Sequence, residues 1–162
     1  MTRLFSPGRI GGVAVANRVC MAPIGTRYAD DHGFVTGRQI DFYAARARGG
    51  VGLVIVEATY IHPYPGRMLI SDDRYVRGLA RLADAIHENG AAAFIQIQTR
   101  RGRSDARDPV APSAVAHPRS GRMPRAITVE EIASASPGRG RVPATVTWET
   151  YIPHVTAQYD LD

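Results

Sequence analysis

Short, nearly unbroken apolar runs alternate along the chain with segments whose apolar positions recur every three or four residues. The runs are Val19 to Ala22, VGLVIVEA from Val51 to Ala58, and AAAFIQIQ from Ala91 to Gln98. Their length and β-branched content predict strands covered on both faces, as in a parallel sheet. Between the first two, Ile40, Tyr43, Ala44 and Ala47 lie on one helical face, opened by Thr36 and Gln39 at capping-box spacing and closed by Gly49 and Gly50. Between the second and third, Val76, Leu79, Ala80, Ala83 and Ile86 predict another amphipathic helix, stopped by Asn89 and Gly90. A loop, VAPSAVAHPRSGRMPRA, then leads to Thr128 and Glu131, a second capping-box pair that should open a third helix.

Strand, helix, strand, helix, strand, loop, helix is the order of successive βαβ units, and it predicts a parallel sheet. The longer connections follow the C-terminal ends of the strands, where an α/β barrel builds its sites. From Ala133 the pattern lapses, because Pro137, Gly138, Gly140 and Pro143 would break a helix begun at Thr128. The expected organisation is a unit over 1–132 and a divergent or frame-disrupted tail over 133–162. Three to four strands are too few to close a barrel of eight.

Composition narrows the function classes. The 162 residues carry a formal charge of +5, but every one of the 20 basic residues is arginine and acidic residues are interspersed, so no clustered nucleic-acid footprint stands out. No apolar run approaches the ~18 residues that cross a bilayer, and the N-terminus lacks a signal-peptide core. With the single Cys20 excluding an internal disulfide, the expectation is a cytoplasmic protein with no membrane and no nucleic-acid partner. His62, His87 and His117 have no metal-type spacing, so no metal site is expected. Cys20 reads as a core thiol, and His87 as a favourable charge near a helix C-terminus.

Three stretches, LFSPGRIGGVAVANRVCMAPIGTRYADDHGFVTGRQIDFYAARARGGVGLVIVEATYIHP, AIHENGAAAFIQIQ and PVAPSAVAHPRSGRMPRAITVEEI, cover most of residues 4–132. In order and spacing they resemble the Old Yellow Enzyme family of FMN-dependent NADH:flavin oxidoreductases, its enoate and dienoyl-CoA reductase-like branch above all. The resemblance implies the N-terminal part of a (β/α)8 TIM barrel with FMN at its C-terminal mouth. Hydride would pass from NAD(P)H to flavin N5 and on to the β-carbon of a small α,β-unsaturated carbonyl compound. Ala22 and Pro23 would form one wall. Ile24, Gly25 and Thr26 would run beside the flavin ring, with a backbone amide or the Thr26 hydroxyl near its C4 carbonyl. Ala58 would let the backbone approach the flavin, and Gln96 would offer its amide to the pyrimidine edge. The redox-tuning cysteine of some relatives would fall near Gly25.

Residue chemistry alone leaves other readings open. Ala22 and Ala58 fit as ordinary small residues at strand ends. A glutamine in AAAFIQIQ must face outward or find a partner, and Gln98 shares the parity of Gln96. Tyr28 reads as a loop residue.

The sequence also departs from the family. Thr99 stands where a histidine is expected, Arg100, Arg101 and Arg103 surround a late glycine, and either a one-residue insertion or a short frame excursion over 99–104 accounts for this. The substrate-polarising histidines and the phosphate loops of the family belong to later strands and have no counterpart here, so catalytic residues stay unassigned. The expectation is a truncated chain, inactive alone. The alternative is a non-enzymatic remnant or a half-barrel module that needs a complementing chain.

Overall fold

A hairpin of β1 (Gly8–Ile10) and β2 (Val13–Val15) opens the fold. It is followed by β3 (Cys20–Met21), α1 (Gly37–Arg48), β4 (Leu53–Tyr60), α2 (Val76–His87) and β5 (Ala92–Gln98). The computed structural model describes residues 3–61, 65–98, 109–117 and 121–131. These belong to two units that divide after Gln98. The expected tail over 133–162 and the arginine-rich segment over 99–104 lie outside the described residues.

In the first unit the strands lie in the order β3, β4, β5, all parallel, with α1 and α2 as crossovers. This is the expected N-terminal portion of an α/β barrel. Helix α1 packs on β4 and on α2, and α2 packs on β5. The two faces of the sheet are filled differently. Leu53 and Phe94 meet Val15 of the hairpin in one cluster, with Ile55 and Ala92 against it. The hairpin therefore covers the starts of β4 and β5, and among the described residues this cluster does not extend to their C-terminal ends. Val54 and Val56, of opposite parity, are buried, as are Tyr43, Ala47, Leu79, Leu82 and Ile86 of the helices. Each such large side chain contributes roughly 1.5–3 kcal/mol of burial.

The helix boundaries follow their signals, with two corrections. Thr36 caps α1 by accepting the Gln39 N–H at 3.3 Å, and Gly50 closes it at φ +92°. The return arm of the capping box is absent, because the Gln39 side chain is buried and directed to Glu57 instead. In α2 the buried positions are Leu79, Leu82 and Ile86, and Ala80 is exposed. Leu82 follows Leu79 by one turn and is the larger side chain, so it takes the core position.

Cys20 is also corrected. It is exposed, and among the described residues β3 is an edge of the three-stranded sheet, paired with β4 alone.

In the second unit, the expected loop after Pro109 contains a short parallel pair, β6 (Val110–Ala111) with β7 (Arg125–Ala126). The N–H groups of Arg125 and Ile127 donate to the carbonyls of Pro109 and Ala111, each at 2.8 Å. The second capping box is complete. Glu131 N–H donates to Thr128 Oγ1 at 3.2 Å, and Thr128 N–H donates to Glu131 Oε2 at 3.0 Å. Arg125 closes on the same carboxylate with two parallel hydrogen bonds of 2.8 Å.

Candidate functional site

The ladder between β4 and β5 is interrupted at one place. Val56 pairs with Ile95 and Thr59 with Ile97, so Glu57 and Ala58 together oppose Gln96. One extra residue in a strand reverses the alternation beyond it and re-aims the side chains. Before the bulge, Leu53 and Ile55 share the hairpin-facing side with Phe94. At the bulge Glu57 turns instead to α1. Beyond it, Tyr60 stands opposite Gln98. Ala58 and Gln96, both half-buried, thus stand together where the ladder breaks.

Glu57 is 1% exposed and gathers groups from three segments. Its Oε1 accepts from Gln39 Nε2 at 2.7 Å and from the Thr26 hydroxyl. Its Oε2 accepts from the Thr26 amide at 2.9 Å and faces Arg67 Nη1 at 3.7 Å. Hydrogen bonds and a cation offset the cost of burying the carboxylate. Gln39 Oε1 is the one buried side-chain polar atom without a partner among the described residues.

The Glu57 backbone N–H donates to the Tyr43 hydroxyl at 2.9 Å, tying the bulge to α1. Burial pushes the Tyr43 phenol far above the ordinary tyrosine range. Since the folded state holds the neutral phenol more firmly than the unfolded chain does, its stabilisation is complete below the unfolded value of about 10 and is lost as pH rises past it. The urea midpoint should therefore fall more steeply from about pH 10 upward in wild type than in Tyr43→Phe. That variant should lose about 1 kcal/mol at neutral pH with its hydrogen bond. Cys20 and the other tyrosines are common to both proteins, so parallel alkaline slopes would refute the assignment.

The expected site residues converge at this end of the sheet. Ala22 and Gly25 are exposed, Pro23 and Thr26 are half-buried, and Ile24 is 57% exposed. Thr26 is fastened by its amide and hydroxyl to Glu57, and its hydroxyl also accepts the Tyr28 N–H at 3.2 Å. The next residue, Arg27, has φ +57°, a left-handed conformation that a non-glycine residue adopts at a cost. Tyr28 is indeed in the loop, its ring edge-on to Phe42 and beneath the Arg38 guanidinium.

The chain returns to the end of β4 through Met68, Leu69 and Ile70, all buried. Tyr60 N–H donates to Met68 O at 2.8 Å, and Ile70 N–H donates to Tyr60 O at 3.0 Å. This segment delivers Arg67 to the mouth. Its guanidinium lies over Gly25, where a Cβ would collide with Nη1 and stand 3.4 Å from Cζ. Among the described residues, the C-terminal end of the sheet thus brings together small and apolar groups and the Arg67 guanidinium, which is backed by the buried Glu57 carboxylate. Among the described residues no group of three or more His, Cys, Asp and Glu side chains could hold a metal ion, and no helix is long and apolar enough to cross a membrane.

Comparisons with known proteins agree with this architecture. The chain is 42% identical over 139 residues to an NADH oxidase of Thermoanaerobacter brockii, covering 80% of the chain and 21% of that relative. It is 40% identical over 141 residues to an NADH:fumarate oxidoreductase of Klebsiella pneumoniae, covering 80% of the chain and 15% of that relative. Among solved structures, the Old Yellow Enzyme homologue of Zymomonas mobilis superposes with a TM-score of 0.65 at 29% identity, over 82% of this chain and 42% of that one. The chain therefore spans about a fifth or less of the length of these two curated relatives. Residues 3–136 match the NADH:flavin oxidoreductase / NADH oxidase family, and the chain belongs to that family.

Proposed function

We propose that the chain supplies the ring-side wall of an FMN site in an ene-reductase-type oxidoreductase, which takes hydride from NAD(P)H and acts on a small compound with an activated C=C bond. The observation that carries this reading is the convergence of Ala22, Ile24, Gly25, Ala58 and Gln96 at the C-terminal ends of three parallel strands. A flavin ring has a flat apolar body and a polar pyrimidine edge, and these residues match both parts. Bound FMN would supply the two-electron chemistry, and the chain's own groups would bind and orient it. Ala22, Pro23 and Ile24 would pack on the ring, Ala58 would keep the backbone close, and the Gln96 amide would meet the pyrimidine edge. Thr26 takes a supporting part, fixing Ile24 and Gly25 through Glu57.

The groups that would hold the FMN phosphate belong to later strands of the family. The 162-residue chain should therefore emerge from purification colourless and inactive. Riboflavin and FMN should then bind it with similar, weak affinity, read as quenching of flavin fluorescence. Stoichiometric yellow FMN retained through purification would overturn this division of the site. Absence of any binding would overturn the flavin reading itself.

A further inference from the structure

We propose that Arg67, held over Gly25 by Glu57, is the residue that tunes the flavin, favouring the reduced, anionic ring over the oxidised, neutral one. This inference rests on the flavin reading above and assigns the charge that acts at that site.

The Thr26 amide and hydroxyl, the two groups best placed by sequence to face a ring carbonyl, both donate to Glu57. The charge at the mouth comes from elsewhere. Residue 25 has no side chain, and the Arg67 guanidinium fills the volume that one would occupy. The ion pair has a fixed orientation. Glu57 is 1% exposed, whereas Arg67 is 18% exposed and its guanidinium lies against the exposed Gly25. At 3.7 Å the two are paired by charge. Of the two charges, the guanidinium is therefore the one nearer the surface at Gly25. Main-chain hydrogen bonds on either side of Tyr60 anchor the segment that carries Arg67, so the charge is placed before a ligand arrives.

Two electrons and one proton convert neutral oxidised flavin to its reduced anion. A fixed cation beside the ring stabilises the product of that step more than its reactant. By linkage, the preference equals the ratio of the affinities for the reduced and oxidised forms, and tenfold in that ratio corresponds to about 30 mV for a two-electron couple.

The test uses the 162-residue chain and riboflavin, which lacks the phosphate. Affinities are measured anaerobically for the oxidised form and for the form reduced with dithionite. Wild type should bind reduced riboflavin more tightly. Arg67→Met should lower the ratio of the two affinities about tenfold, about 30 mV in potential, and Arg67→Lys should keep most of it. Gly25→Ala, which evicts the guanidinium, should resemble Arg67→Met. Both affinities come from one protein sample, so binding of the oxidised form certifies the fold of each variant. If Arg67→Met binds neither form, Gly25→Ala decides. An unchanged ratio in the deciding variant overturns this inference and leaves the flavin reading standing. Failure of wild type to bind either form overturns both.

Discussion

Replacing Glu57 with alanine should cost the chain about 3–5 kcal/mol, the range found when one partner of a buried ion pair is removed. The carboxylate is 1% exposed and serves Gln39, Thr26 and Arg67 together. Without it Gln39 loses the partner of its Nε2 while its Oε1 is already unpartnered, so a wholly buried amide is left with neither end satisfied. Arg67 is 18% exposed and recovers part of its solvation from water, which pulls the loss toward the lower end of the range. Glu57→Gln keeps the volume and an acceptor, loses the charge, and should cost clearly less. Urea denaturation at neutral pH compares the two. Equal costs, or a loss below about 1 kcal/mol for alanine, would show that the carboxylate does not hold this end of the sheet together. Cleavage by trypsin after Arg27 should also accelerate in the alanine variant, since the loop is fastened through Thr26.

Much of this scaffold can be read from the residue pattern, because it depends on local signals. The cap at Thr36, the glycine stop after α1, the Asn89 and Gly90 stop after α2, and the box at Thr128 are all decided within one helical turn. Parallel pairing follows from the alternation of strands with helices, and the resemblance that names the barrel covers those same elements. What the pattern misses is decided at long range. Thr36 and Gln39 have ideal box spacing, yet Gln39 is drawn across to a carboxylate on β4. Cys20 has the neighbours of a core residue, yet it is exposed on β3, which among the described residues is an edge strand.

The bulge at Glu57 and Ala58 leaves no mark in VGLVIVEA, where every position is compatible with a regular strand. Glu57 itself carried a signal, since a charge inside a buried apolar run requires a partner. The identity of that partner was not legible, because Arg67 reaches it from a turn-rich connection with no periodicity of its own. Ala22, Ile24 and Gly25 follow β3, and Ala58 lies at the bulge of β4. The linkage of Thr26 and Arg67 through one carboxylate emerges only when the three segments are brought together.

Gly33→Ala is the second substitution expected to act strongly, and it reaches the site from the far side of Arg67. Gly33 has φ +85°, a region where an L side chain costs about 1–2 kcal/mol. An added Cβ would also collide with Leu69, standing 2.7 Å from Cδ1 and closer still to Cγ. Leu69 is buried between Met68 and Ile70, so it has little space into which to retreat, and forced repacking of such a position costs about 1–3 kcal/mol. Together the terms give a loss of roughly 2–5 kcal/mol by urea denaturation. The Gly33 carbonyl accepts the Leu69 N–H at 3.0 Å, so displacement of Leu69 should also shift the segment that delivers Arg67. Leu69→Ala made in the same chain separates the two causes. It removes the collision and retains the backbone strain, so the double variant should cost less than the sum of the single ones. Strict additivity would mean that Leu69 does not transmit the change, and that the placement of Arg67 is independent of the turn at Gly33.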